Sequence, residues 1–263
     1  LRLEVKGKGL KLNMARGKPG EDQLNLSRPL LDVINSSTDC ITAHGADCRN
    51  YGELAGIDEC KNFFAEIFDV DPSDVMVGGN SSLNMMFDTI AGFMTKPVVE
   101  GCKPWYEVKN RKFLCPAPGY DRHFAITEYF DFDMIPVPMT ENGPDMDVVE
   151  KLVENDDSIK GIWCVPKYSN PLGITFSDET VTRFAALKPA AKDFRIMWDN
   201  AYCVHDVTDT PDELLSLMDE CRKTGNVDLP IMFTSTSKIT FPGSGVAAMF
   251  WHHSPLKADA LGF

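Results

Sequence analysis

An α/β fold, with a mainly parallel sheet and helices on both faces, is predicted by three features of this sequence. Short apolar runs recur at 112–115, 134–137, 161–165, 194–198 and 230–234, each bounded by turn-forming residues, as strands buried on both faces require. Longer stretches with apolar residues at helical spacing lie between them, which is the pattern of strand–helix–strand crossovers. The residues best suited to chemistry (Asn170, Asp199, Lys238) fall just past the ends of the apolar runs, where sites form in such sheets.

Taken in order, residues 1–30 are polar and irregular, broken by Gly7, Gly9, Gly17, Pro19, Gly20 and Pro29, and read as an arm or loop. From Tyr51 the pattern turns helical, with Leu54, Ile57, Phe64, Ile67 and Phe68 on one stripe, and Asp71-Pro72 ends it. Asp74–Val77 reads as a short strand leading into Gly78-Gly79-Asn80-Ser81-Ser82. A helix carrying Leu83, Met86, Phe87, Ile90 and Met94 follows. Such a helix start attracts anions, because its first N–H groups lack partners and the dipole is positive there; Ser81 reads equally as an ordinary helix cap. After a loop at 97–111 come a strand Lys112–Cys115, a rigid turn Pro116–Tyr120 and a helix through residue 130. A strand Met134–Val137 and a helix 145–155 (Met146, Val149, Leu152, Val153) are next. A strand 161–165, a helix 178–187, a strand Phe194–Trp198, a helix 211–222 and a strand 230–234 complete the alternation.

Lys238 sits between the apolar run Ile231–Phe233 and the breaker Pro242-Gly243-Ser244-Gly245. A lysine at the end of a buried strand is expected to be partly desolvated, which favours the neutral, nucleophilic amine able to form an imine. The alternative is a surface lysine just past a strand. Asp199 follows Ile196-Met197-Trp198, and a carboxylate at the end of so apolar a run implies either a charged partner or a capping role.

The charge balance excludes some partners. A net charge of −13 and a sequence pI of about 4.8 repel phosphate backbones and anionic membrane surfaces, so neither nucleic acid nor membrane is expected as a partner. Eight cysteines are scattered without CxxC pairs, and Cys115 and Cys164 lie in apolar runs, which favours reduced thiols. His44 with Cys48, or Cys203 with His205, makes half a metal site with no second pair, so no metal is expected. The beginning of the chain, Leu1-Arg2-Leu3-Glu4, has no apolar signal core, and a cytoplasmic location is expected.

Asn170-Pro171-Leu172-Gly173, Asp199-x-x-Tyr202 and Ser235-x-x-Lys238, in this order and at these separations, resemble the fold-type I enzymes that use pyridoxal 5'-phosphate, and class I aminotransferases in particular. Leu12–Pro19 and Gly79-Asn80-Ser81-Ser82-Leu83 look like the type Ic aspartate aminotransferase subgroup. The resemblance covers nearly the whole chain. It implies that Lys238 holds the cofactor as an aldimine and, once displaced by an amino acid, moves the proton at Cα. It implies further that Asp199 pairs with the pyridine nitrogen, that Tyr202 and Asn170 donate to the phenolic oxygen, and that Tyr120 stacks on the ring. Phosphate contacts carry over onto Gly79, Asn80, Ser81 and Ser235, with Tyr51 reaching the phosphate of a neighbouring subunit in a homodimer. Gly17 and Asn170 match substrate-binding positions. The Asn170–Pro171 bond is expected to be cis. Aspartate and 2-oxoglutarate are the implied amino-acid and 2-oxo-acid substrates.

Two departures stand out. The stretch Pro242–Val246 lacks the phosphate-clamping arginine of many relatives, which leaves Ser244 and backbone amides for that work. The chain also stops at Phe263, so the family's C-terminal small domain is expected to be absent. The expected organisation is an arm and small-domain segment at 1–45 and a cofactor-binding large domain at 46–263. Two rival readings are a domain of this fold that binds without turnover, and a Ser/Lys acyl hydrolase built from Ser235-x-x-Lys238, Tyr168-Ser169-Asn170 and Lys223-Thr224-Gly225. The order of those three motifs argues against the hydrolase.

Overall fold

The computed structural model describes Lys8 and residues 17–252, and its contacts cluster in two units, Leu1–Asp39 and Cys40–Phe263. In the first unit, residues 21–32 are not irregular. They form the short helix α1 (Glu21–Leu26) and a single 3-10 turn, Arg28–Asp32. Gln23 starts α1 by accepting from the Gly20 N–H at 2.8 Å, the reach-back bond of a capping box. Of the Leu12–Pro19 motif, Leu12–Arg16 lie outside the described residues.

The second unit begins its regular structure later than the apolar stripe suggests. α2 runs Asp58–Phe68, not from Tyr51. Glu53 (φ 50°) and Gly56 (φ 98°) are left-handed, which breaks any helix, and Leu54 is 80% exposed. Gly56 tolerates no side chain, because an added Cβ would lie 2.5 Å from Val77 Cβ. Phe64, Ala65 and Phe68 make the buried stripe of α2.

The remaining elements follow the predicted alternation, with shifted ends. They are β1 (Val75–Val77), α3 (Ser82–Thr95), β2 (Lys112–Ala117), α4 (Asp121–Tyr129), β3 (Asp133–Thr140), the two-residue β4 (Gly143–Pro144), α5 (Met146–Asn155), β5 (Ile159–Cys164), α6 (Asp178–Ala185), β6 (Arg195–Asp199), α7 (Leu217–Thr224), β7 (Pro230–Ser235) and β8 (Ala247–Trp251). α7 starts at Leu217 rather than 211, where the Ser216 side chain caps it by accepting from the Asp219 N–H. No helix among the described residues is long and apolar enough to cross a membrane.

One sheet carries all eight strands in the order β1-β8-β7-β6-β5-β2-β3-β4. Its middle, β7 to β3, is parallel, and β5, β6 and β7 are buried at every position. β8, which the sequence reading missed, runs antiparallel between β1 and β7, with Ser235 opposite Ala247 and Ile231 opposite Trp251. Its signal was present in Ala-Ala-Met-Phe-Trp, a short apolar run just past the glycine breaker.

Side-chain alternation sorts the core into two layers. Ile196, Trp198 and Met232 point to the face covered by α2, α5, α6 and α7, where they meet Phe68, Val149, Phe184 and Leu217. Met197, Phe233 and Trp163 point to the face covered by α3 and α4, against Met86, Phe93 and Ile126. By the same alternation Asp199 lies on the α3–α4 side.

Candidate active site

β6 delivers Asp199 to the carboxyl edge of the sheet, and its side chain is only 7% exposed. Its Oδ2 lies 3.0 Å from His123 Nε2, while its Oδ1 is buried with no hydrogen-bond partner among the described residues. A buried carboxylate oxygen without a donor costs free energy, so the geometry selects a ligand that brings one.

His123 is the candidate site residue that sequence reasoning missed. It stands on the first turn of α4, 76 residues before Asp199, and is 1% exposed. Its ring stacks on Trp163 of β5 with centroids 4.5 Å apart and planes 13° from parallel. The Trp163 Nε1–H donates to Thr127 Oγ1 at 2.8 Å, and the Thr127 hydroxyl in turn donates to the His123 carbonyl at 2.9 Å. Strand β5, helix α4 and strand β6 thus fix imidazole and carboxylate together. The only hint in the sequence is one turn of spacing, His123 to Thr127, on a helix just beyond Pro118-Gly119.

Tyr120 is the N-cap residue of that helix, its ring edge-on to His123 at 5.1 Å. Together with Asn170 and Ser169 it lines a shallow cleft over His123 and Trp163. The Asn170–Pro171 peptide is cis, as the resemblance implies, and so is Ala117–Pro118 beside Tyr120.

Beyond β7 the chain makes one 3-10 turn, Thr236–Lys238, before looping back into β8. This corrects the expectation for Lys238, which is exposed rather than partly desolvated. A turn beyond the last buried residue, Ser235, carries it out of the core. The Lys238 ammonium lies 4.6 Å above the ring of Tyr202, which sits three residues past Asp199. The His205 ring nitrogen Nε2 is 3.1 Å from the Lys238 carbonyl, tying the two loops together. Nearby, burial pushes the Cys203 thiol above its usual range. The lysine loop is closed by the Thr236 N–H donating to Val246 O (2.8 Å) and the Val246 N–H donating to Thr236 Oγ1 (2.9 Å). A Cβ at Gly245 would meet that hydroxyl at 2.7 Å.

The same loop grips the start of α3. Ser237 donates to Asn80 O at 2.7 Å, Asn80 Nδ2 to Pro242 O at 3.4 Å, and the Ala247 N–H to Gly79 O at 2.7 Å. Segments 157 residues apart are thereby joined, and the N-terminus of α3 faces the lysine loop. Gly79 and Asn80 are exposed, Ser235 is buried at the end of β7, and the Ser81 hydroxyl accepts from the Asn84 N–H (3.4 Å) as a cap.

The structure therefore gathers Gly79, Asn80, Ser81, Ser235, Lys238, Tyr202 and Asp199 around neighbouring strand ends, with Tyr120 packed edge-on to His123 and Asn170 lining the cleft beside it. It does not bring in Tyr51, whose side chain is fully exposed, and Gly17 belongs to the other unit. The arrangement offers an amine, a phenol, a buried anionic acceptor and a helix start suited to an anion. It breaks the hydrolase constellation, because Lys223-Thr224-Gly225 lies at the far end of α7, where Thr224 donates to Ala185 O at the end of α6.

Comparison with known proteins shows what the chain as a whole is similar to. Residues 2–257 match the family described as aspartate amino-transferase. An aspartate aminotransferase of Corynebacterium glutamicum is 45% identical over 244 residues, which is 93% of this chain and 56% of that protein. The solved structure of an aspartate transaminase from the same species, 43% identical, superposes with a TM-score of 0.90 over 98% of this chain and 60% of that one. The α-aminoadipate aminotransferase LysN of Thermus thermophilus, solved with N-(5'-phosphopyridoxyl)-L-leucine, is 20% identical and shares the fold, with a TM-score of 0.71 over 98% of this chain and 60% of its own. The chain thus spans less than two thirds of the length of these relatives.

Proposed function

This chain belongs to the aspartate amino-transferase family, and on that premise we propose that it moves an amino group between an amino acid and a 2-oxo acid, using pyridoxal 5'-phosphate. Aspartate is the proposed donor and 2-oxoglutarate the acceptor, a choice supported by the name of the 45% identical relative. The observation that carries the reading is Asp199, buried, with one oxygen on His123 and the other awaiting a donor. A protonated pyridine nitrogen is such a donor, and its charge would match the carboxylate.

Bound there, the cofactor would supply an electron sink for charge developing at the substrate's Cα, which works best with its ring nitrogen protonated. Asp199 would hold that proton on the ring by charge and hydrogen bond, and His123 would fix the carboxylate's orientation. Tyr202 and Asn170 would donate to the phenolic oxygen, and Tyr120 would cover the ring face. The N–H groups at the start of α3, with Gly79, Asn80, Ser81 and Ser235, would take the phosphate. Lys238 would anchor the aldehyde carbon through its amine. Once released, its Nζ would move the proton at the substrate's Cα.

The fully exposed Tyr51 suits a residue that reaches across a homodimer to the neighbouring phosphate. Residues 1–45 would be the arm and small-domain segment, with Gly17 near the substrate carboxylate, and 46–263 the cofactor-binding domain. The test is the absorption spectrum of the chain with pyridoxal phosphate, before and after aspartate. A visible band that aspartate bleaches is expected, and it should be missing in Lys238→Ala; a variant with the parent's band would refute the anchor. A second reading is cofactor binding without turnover, to which the exposed position of Lys238 is the pertinent observation. It predicts the band with no response to aspartate.

A further inference from the structure

On the face of the sheet away from His123 and Asp199 lies a cavity of about 500 Å³, within the size range of small-molecule sites. We propose that it is a second binding site, for the zwitterion of an amino acid with an apolar side chain. Its apolar wall is made by Phe68, Trp198 and Met232. Lys167 also lines it, buried to 7% exposure. Among the described residues the Lys167 ammonium makes one long hydrogen bond, 3.4 Å to Cys203 O, one loose ion pair, 3.9 Å to Asp206, and lies 5.3 Å from the centre of the Tyr168 ring. Three donors on one ammonium leave it able to receive a carboxylate. Asn200 lines the cavity too, 8% exposed, and its amide oxygen, which has no partner among the described residues, can accept from an ammonium.

Charge decides which carboxylate fits. Asp69, Asp206, Asp212 and Glu213 line the space; among the described lining residues Lys167 is the one cation, and Arg222, outside the lining, lies 3.9 Å from Asp69, so a simple carboxylic acid still meets net repulsion. A zwitterion brings its own cation to Asn200 and to Asp206, whose side chain is 62% exposed at the mouth, and presents its carboxylate to Lys167. The apolar side chain then covers Phe68, Trp198 and Met232. The site does not depend on the catalytic reading, since none of these groups belongs to the Lys238 cluster.

The test uses the chain without pyridoxal phosphate or any 2-oxo acid, following the indole N–H resonances of its four tryptophans by NMR. Trp198 is identified by Trp198→Phe. L-Leucine is expected to shift the Trp198 signal saturably. L-Leucinamide (no carboxylate) and 4-methylpentanoate (no ammonium) should each bind about tenfold more weakly or worse. Lys167→Met should weaken L-leucine by about the same factor, and Lys238→Ala should leave it unchanged. Absence of a saturable shift, equal binding of 4-methylpentanoate, or dependence on Lys238 instead of Lys167 would overturn the proposal. Should Lys167→Met fail to fold, the ligand series on the parent chain decides alone.

Discussion

Asp199→Asn separates binding from folding in this protein. In the parent, Asp199 is 5% exposed and Oδ1 has no hydrogen-bond partner among the described residues, so the carboxylate lies buried with half its accepting capacity unused. Asparagine has the same shape and removes the charge. A hydrogen bond to a charged group contributes about 1.5–3 kcal/mol, against about 0.5–1.5 for a neutral one. Exchanging the first kind for the second at the pyridine nitrogen should therefore cost about 1–2 kcal/mol, or roughly five- to thirtyfold in cofactor affinity. The unliganded fold should not suffer in parallel, because the variant removes a buried charge whose partner is incomplete. The assay is a pyridoxal phosphate titration followed by absorbance, paired with urea unfolding of the cofactor-free chain. The expected pattern is weaker binding with an unfolding midpoint no lower than the parent's. Affinity within about twofold of the parent's would refute the role given to Oδ1. So would a loss of binding that simply follows a loss of fold.

Three further outcomes follow from the geometry. Lys160 and Asp193 form a buried pair at 2.7 Å, and Asp193 also accepts from Trp105 Nε1 at 2.9 Å; Asp193→Leu should lower stability to urea by about 3–5 kcal/mol, while Lys160→Met/Asp193→Leu should lose much less than the two single losses combined, and additive losses would count against the pairing. Burial pushes the Cys115 and Cys221 thiols up to about 12 and raises Cys164 well above the usual thiol range, so iodoacetamide at pH 8 should label the exposed Cys48 promptly and these three only after unfolding, as peptide mass mapping would reveal. Asp156, held down to about 2 by the Lys112 ammonium and then by the Ser158 hydroxyl, contributes stability that is present above its usual pKa near 3.8 and lost as pH falls toward 2; Lys112→Met should flatten the chain's acid-unfolding profile in that window, and an unchanged slope would contradict it.

The sequence by itself determined the layered α/β architecture, because strands buried on both faces must be apolar throughout and the helices between them must show one apolar stripe. It also determined which polar residues stand at strand ends, since Asn170, Asp199 and Lys238 each follow such a run. Local pattern failed where backbone conformation overrode it. The stripe from Leu54 to Phe68 looked continuous, yet Glu53 and Gly56 are left-handed and the helix starts at Asp58. Tertiary structure alone decided that β8 turns back antiparallel beside β7, because strand direction is set by pairing and not by composition. That reversal makes Lys238 part of an exposed loop held against Asn80. Only the fold could also bring His123 onto Asp199, since a contact across 76 residues leaves no trace in spacing.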